Sequence, residues 1–314
     1  MRWTNRRVSL KRWLRRGAEP DLGGCRQRIA LKRYLCPPLS PLAEILPLSV
    51  VIIARNEAHN LPRCLASVRG WVAEIVVLLN GTTDASRDVA ERHGATVHEA
   101  EWLGYRDTKN LALSKATQPW ALALDADEEV SPALRAGIGA FFSRVDRGSF
   151  AGGRFPRKVW FIDRWITHGD WYPNLSLRLI RIGRARWGGD EFVHERVEAD
   201  GLVATLTGDL LHYSFPTLSS HVAKINLFAD LFVRQQAARG GRFSLATAIF
   251  RPGWRFFRAY VIKLGFLDGY PGFYIAWATA FGAFVRYARL YEMERRKEPP
   301  EHASGDPRDK PSGI

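Results

Sequence analysis

Residues 120–129 read Trp120-Ala121-Leu122-Ala123-Leu124-Asp125-Ala126-Asp127-Glu128-Glu129. A charge-free run of strand length stops abruptly at acids, which predicts a buried strand over Trp120 to Leu124 with Asp125 and Asp127 projecting from its carboxyl end. In open α/β sheets that edge is where ligands bind. Two carboxylates so close raise each other's pKa unless a cation neutralises them, and oxygen ligands suit Mg2+ or Mn2+. A metal bridging from these acids to a diphosphate would stabilise the charge on a departing nucleotide diphosphate. The alternative is a solvated loop before the helix that Ser131-Pro132 opens, with Glu128 and Glu129 as acids favoured at a helix N-terminus.

Upstream, apolar runs of strand length alternate with helical segments. Leu48 to Ala54 is predicted as a first buried strand, and Asn60 as the cap of a helix over Leu61 to Arg69, with Pro62 in its first turn and Gly70 just past its end. Glu74 to Leu79 is a second strand, followed by the loop Asn80-Gly81-Thr82-Thr83-Asp84 and a helix that stops at His93-Gly94. A short strand over Ala95 to Glu99 and a helix over Gly104 to Ala116 lead back to the starting strand. Four such βα units predict an α/β fold, a mainly parallel sheet with helices on both faces.

Downstream the order is less regular, with strands near Arg154 to Trp160 and Leu175 to Ile182 and a turn-rich stretch through Gly188-Gly189. After Ser219 the pattern is helical to about Arg296. The expected organisation is a flexible basic leader over residues 1–46, a catalytic domain over 47–215, a helical C-terminal region over 216–295 and a disordered tail over 296–314. Gly269 to Val285 is charge-free but slightly short of the roughly 20 apolar residues of a spanning helix, so it reads as a buried or interfacial helix. Near it, Arg251, Trp254, Arg255, Phe256, Phe257 and Arg258 intermix rings and cations, a pattern suited to a membrane interface and also to helices packed on a catalytic domain.

The chain of 314 residues carries 46 Lys and Arg against 32 Asp and Glu, a formal charge of +14, which favours an anionic partner. Zinc-finger, RNP-type and basic-zipper patterns are lacking, so a nucleic-acid partner is not expected. Three cysteines, Cys25, Cys36 and Cys64, suggest neither a disulfide framework nor a structural zinc site. With no apolar run of signal-peptide type before Pro37-Pro38, a cytoplasmic location is expected.

Taken in order, Leu48-Ser49-Val50-Val51-Ile52-Ile53-Ala54-Arg55-Asn56-Glu57, Gly81-Thr82-Thr83-Asp84, Lys109-Asn110 and Leu124-Asp125-Ala126-Asp127-Glu128 resemble the successive motifs of the family 2 glycosyltransferases, which have the GT-A fold. A weaker stretch, from Trp171-Tyr172-Pro173-Asn174 through Arg178-Leu179-Ile180-Arg181 to Val193-His194-Glu195, is similar to the subgroup with lipopolysaccharide core β-glucosyltransferases. Two departures stand out: Leu79 occupies a position where the family usually has Asp, and Asn174 one where the subgroup does.

The resemblance implies an inverting hexosyltransferase with a GT-A-like, Rossmann-related sheet. It would carry glucose from UDP-glucose to a saccharide or lipid-linked acceptor, at the inner face of the cytoplasmic membrane and against an anionic lipid surface. A polyprenyl phosphate is the alternative acceptor, and a sugar-nucleotide-binding protein without turnover the alternative activity. Asn56, Glu57, Asp84, Lys109 and Asp125 would border the nucleotide sugar, although Asp84 is also an ordinary cap. Lys109 suits a diphosphate as a compact point charge, with Arg106 one turn earlier. Asp127, Asp125 and His194 would hold the Mg2+ or Mn2+. Inversion requires a base to deprotonate the acceptor hydroxyl, and Glu195 is the first candidate, Asp190 the second.

Overall fold

Runs of Val, Ile and Leu interrupted by short amphipathic segments fold here into the expected alternation. A computed structural model describes residues 45–189, 196–215 and 217–296. Asp190, His194 and Glu195, the predicted leader up to residue 44 and the predicted tail from residue 297 lie outside the described residues. The first half runs β1 (Leu46–Ala54), α1 (Leu61–Val68), β2 (Val72–Leu79), α2 (Ser86–Arg92), β3 (Thr96–Glu99), α3 (Tyr105–Leu113) and β4 (Trp120–Asp125). Its strands are parallel in the order β3-β2-β1-β4.

The strands are apolar throughout because both faces are covered. Successive side chains point to opposite faces, so Val50, Ile52, Leu122 and Leu124 pack with Leu61 and Leu65 of α1. Val51, Val76, Ala121 and Ala123 pack on the other side with Leu113 of α3. The predicted Asn60 cap is not formed: Asn60 has helical dihedrals, and its side chain pairs with Glu57 and Arg63 instead.

After β4 the chain makes β5 (Glu128–Val130) and α4 (Pro132–Phe142), which Ser131 caps as expected by accepting from the Leu134 amide at 3.1 Å. There follow β6 (Phe150–Phe161), β7 (Arg164–Trp165), β8 (Asn174–Arg181), β9 (Ala185–Gly188), β10 (Arg196–Ala199), β11 (Leu202–Thr205) and β12 (Leu210–Phe215). The sheet continues as β4-β8-β6-β12-β5, with β8 antiparallel to both neighbours and β12 parallel to β6. The α/β sheet is thus parallel in its first half and mixed in its second. β9 and β10 form a separate antiparallel ribbon, and Trp187 of that ribbon joins the cluster under α3.

The alternative reading of Glu128 as a solvated helix acid is overturned. Glu128 belongs to a strand paired with β12 and is fully buried.

The C-terminal region is helical: α5 (Leu218–Ala238), α6 (Leu245–Phe257), a π turn Arg258–Ile262, a 3-10 turn Gly265–Asp268 and α7 (Gly269–Arg296). Thr217 and Ser220 form a reciprocal capping box at the start of α5. Among the described residues no helix is long and apolar enough to cross a membrane. The region is fastened to the sheet by Asp268, only 5% exposed, whose carboxylate accepts from Thr167 Oγ1 at 2.8 Å and from the amides of Thr167 and His168 at 3.0 and 2.8 Å. Beside it Phe161, Trp171, Phe215, His221 and Tyr274 form one aromatic cluster.

Candidate active site

The carboxyl ends of β1, β2 and β4 gather the residues singled out in the sequence. Asn56, just past β1, takes a left-handed conformation at φ 54°, which asparagine tolerates better than most residues. Its Oδ1 accepts from the Thr83 amide at 2.8 Å, while Asp84 Oδ2 accepts from the Ala58 amide at 3.0 Å. The Glu57 amide donates to Ser86 Oγ at 2.8 Å, and the Glu57 carboxylate accepts from Asn60 at 2.9 Å. Asn56, Glu57 and Asp84 are therefore brought together, locking the β1 and β2 loops into one rim. Burial pushes the Asp84 carboxyl up, but hydrogen bonds from Ser86 and from the Ala58 and Ser86 amides outweigh it and hold the group below its ordinary value. Leu79 is buried in the core, and the neighbouring Asn80 side chain donates to the Ala100 carbonyl at 3.2 Å.

Across this rim, Asp125 meets cations from two elements. Lys109 Nζ of α3 lies 3.1 Å from Oδ1, and Arg178 Nη2 of β8 lies 2.8 Å from Oδ2. Burial raises the Asp125 pKa, but the charges of Arg178, Lys109 and Arg157 prevail and hold it well below the usual carboxylate range. Glu128 Oε1 is 3.4 Å from Arg178 and 3.3 Å from Arg157, and its Oε2 accepts from the Asp125 amide at 2.9 Å. The Trp187 ring lies 4.4 Å from Lys109 Nζ and 5.2 Å from the Arg178 guanidinium, favourable cation–π distances. Asn110 fixes that tryptophan by exchanging two hydrogen bonds of 2.9 Å with its backbone. Arg106, by contrast, pairs with the adjacent Asp107 at 2.8 Å on an accessible face.

Asp127 faces His212. Its Oδ2 is 3.3 Å from His212 Nε2 on β12, and the Tyr213 amide donates to the Asp127 carbonyl at 3.0 Å. His212 is buried, and its Nδ1 has no hydrogen-bond partner among the described residues. Nε2 is thus the ring nitrogen that faces a polar group, the Asp127 carboxylate. The Asp127 side chain is about 29% exposed, close to the 27% of Asp125.

Arg178, Glu128, Arg157, Trp187 and His212 were not foreseen as site residues. A signal existed for Arg178: strand alternation puts it on the same face as Ile180, a position that demands an apolar or a paired side chain. His212 had none, because the short β12 carries no period distinct from the loops beside it.

A parallel half-sheet of this order, with an Asp-X-Asp turn at its carboxyl edge, is the arrangement that the family resemblance of the sequence leads one to expect. The family model described as glycosyl transferase family 2 matches residues 49–183. The lipopolysaccharide core biosynthesis glycosyltransferase LpsC of Rhizobium meliloti (strain 1021) is 31% identical over 261 residues, covering 81% of this chain and 96% of that protein. An uncharacterized glycosyltransferase of Rickettsia typhi (strain ATCC VR-144 / Wilmington) is 28% identical over 260 residues, 78% of this chain and 87% of its own. Among solved structures, S. aureus TarS 1–349 in complex with UDP is 13% identical, covers 81% of this chain and 92% of that one, and superposes with a TM-score of 0.40. The chain belongs to glycosyltransferase family 2.

Proposed function

We propose that this glycosyltransferase moves glucose, with inversion, from UDP-glucose to a saccharide or lipid-linked acceptor of the lipopolysaccharide core type. The observation that carries the reading is the division of labour at the Asp125-Ala126-Asp127 turn. Asp125 is neutralised by Lys109 and Arg178. Asp127 faces His212 of β12 at 3.3 Å. The likeness to LpsC supports the class of acceptor.

A divalent cation, Mg2+ or Mn2+, suits this turn through the carboxylate oxygens of Asp127, a side chain about as exposed as Asp125 and faced by the His212 ring. Bound there, the ion would supply positive charge to a leaving diphosphate. Asp125 suits the sugar-nucleotide side, because Lys109 and Arg178 keep it ionised as an acceptor for hydroxyl groups. Asn56, Glu57 and Asp84 form the rim on which the nucleoside rests.

Glu195, or failing it Asp190, accepts the proton of the acceptor hydroxyl. Both fall in the sequence that joins β9, which carries Trp187 against Lys109, to β10. Residues 47–215 form the catalytic domain and 216–295 a helical region. The reaction takes place at the inner face of the cytoplasmic membrane, where a lipid-linked acceptor is presented.

Purified protein incubated with a panel of nucleotide sugars and Mg2+ or Mn2+ is expected to release UDP from UDP-glucose. The anomeric proton coupling of the product reports inversion. Absence of nucleotide diphosphate release from every donor, with acceptor oligosaccharide present, would overturn the reading.

A further inference from the structure

Exposed apolar side chains are distributed very unevenly over the molecule. Of the 27 exposed large hydrophobic residues among the described residues, 16 lie between Leu245 and Tyr291. On α6, Ile249, Phe250, Trp254 and Phe257 share one outward arc, with Phe250 75% exposed. On α7, Tyr270, Phe273, Trp277, Phe281 and Phe284 recur every three or four residues along one stripe. Phe256 joins the two stripes, 6.0 Å from Phe273 and 5.2 Å from Trp277. Tyr260 extends the join, 5.6 Å from Phe273 and 6.1 Å from Phe266. Two antiparallel helices and the turns between them thus bring these rings onto one face, and a contiguous exposed apolar patch marks an interaction site.

Charge selects the occupant. From Leu245 to Tyr291 the chain has six cations, Arg251, Arg255, Arg258, Lys263, Arg286 and Arg289, and a single acid, Asp268, buried against Thr167 and His168; Asp170 faces Arg255, Arg258 and Lys263 and Asp230 pairs with Arg289, so the cations still outnumber the acids about them. A second copy of the chain would set cations against cations. An anionic bilayer instead accepts rings at headgroup depth and places lipid phosphates beside the arginines. No described helix is long and apolar enough to cross a membrane, so the fitting arrangement is in the plane of the interface.

We propose that the face made by α6, the π and 3-10 turns and α7 docks flat on an anionic lipid surface. The face is also tied to the catalytic half. Asp170, beside Trp171 and Tyr172, lies 2.5 Å from Arg258 and 3.2 Å from Lys263, so ion pairs tie the stretch leading into β8 to the π turn between the docking helices. That the bilayer delivers the acceptor to this side rests on the function proposed above. The docking itself rests on the exposed face and its charge.

The test is flotation of the full chain with vesicles of phosphatidylcholine, with and without phosphatidylglycerol. Two exposed pairs are replaced, Trp254→Ser with Phe257→Ser and Trp277→Ser with Phe281→Ser, separately and together. Wild type is expected to float with the phosphatidylglycerol vesicles, and the fourfold variant to partition at least about tenfold more weakly. Its melting temperature and its UDP release with a soluble oligosaccharide are expected to be unchanged, and each pair alone, should the fourfold variant not fold, to give an intermediate loss. Flotation of the folded variants equal to wild type would assign lipid binding to another part of the chain and overturn the proposal. So would a wild-type dimer in sedimentation equilibrium that the variants dissociate, with no vesicle binding. Flotation as expected, but with no nucleotide diphosphate release by any of the proteins, would support docking and count against the transferase reading alone.

Discussion

His212 Nε2 lies 3.3 Å from Asp127 Oδ2, linking β12 to the acid turn that ends β4. With Nδ1 buried and unpartnered among the described residues and Nε2 toward the carboxylate, His212 is expected to aim Asp127 rather than to ligate beside it. Glutamine also presents an N–H, so His212→Gln is expected to keep Mn2+ affinity within about tenfold of wild type, whereas His212→Ala loses about ten- to a hundredfold. Asp127→Asn should abolish metal-dependent turnover with the fold retained. Mn2+ titration followed by EPR checks the order of the variants independently of activity. Equal, severe loss in the Gln and Ala variants would make the imidazole a ligand.

Glu128 is a carboxylate with no exposed side-chain surface, balanced by Arg178 at 3.4 Å and Arg157 at 3.3 Å. Removing one partner of a buried ion pair leaves a charge that cannot be rehydrated, at a cost of about 3–5 kcal/mol. Arg178→Met is expected to destabilise by about that amount, and Arg178→Met with Glu128→Gln to recover a substantial part. Urea unfolding of the two variants measures the difference. A double variant no more stable than Arg178→Met would show that Glu128 is not the charge that Arg178 balances.

The contrast between Asp125 and Glu128 explains what the sequence could reveal. β1, β2 and β4 were legible because strands buried on both faces are continuous apolar runs, and each stops at the polar residues that form the site. Asn56, Glu57, Asp84 and Asp125 follow or end those strands, and Lys109 reaches Asp125 from α3. The mixed half was legible only in β6 and β8, where strands were expected near Arg154 to Trp160 and Leu175 to Ile182. β5 has three residues and β9 to β11 four each, too short for a period to emerge from the flanking turns. Glu128 therefore read as a helix acid, although long-range pairing with β12 buries it as a strand residue. Arg178 and His212 reach the site only through sheet neighbours distant in the chain, which local pattern does not encode.

Gly208 has φ +95°, and a Cβ there would overlap the backbone of Ala133 and Leu134 at the start of α4. Gly94 also has positive φ, at +81°, but a Cβ would meet nothing within 4 Å. Both replacements by alanine incur the left-handed backbone cost of about 1–2 kcal/mol. Only Gly208→Ala adds overpacking, typically a further 1–3 kcal/mol or so, because rigid backbone cannot yield as a side-chain tip can. Gly208→Ala is thus expected to lower the denaturation midpoint clearly more than Gly94→Ala does. Equal midpoints would mean that α4 shifts without resistance.

His221 sits among Phe161, Trp171, Phe215 and Tyr274, with Nδ1 3.2 Å from the Tyr274 hydroxyl. Burial, aided by the charge of Lys224, lowers its pKa from 6.5 to about 4. Above 6.5 neither the folded nor the unfolded chain is protonated there, and this site adds no pH dependence. Between 6.5 and about 4 the unfolded chain gains a proton that the folded chain refuses, so stability falls as pH falls through that window. The slope approaches about 1.4 kcal/mol per pH unit, and lowering the pH from about 7 to about 5 should cost on the order of 2 kcal/mol through this ring. His221→Phe keeps an aromatic ring in the cluster and removes the titration. Urea unfolding of both proteins at the two pH values should show wild type losing about 2 kcal/mol more than the variant. Parallel losses would mean that acid sensitivity arises elsewhere and that the pocket admits enough water to keep His221 near its ordinary pKa.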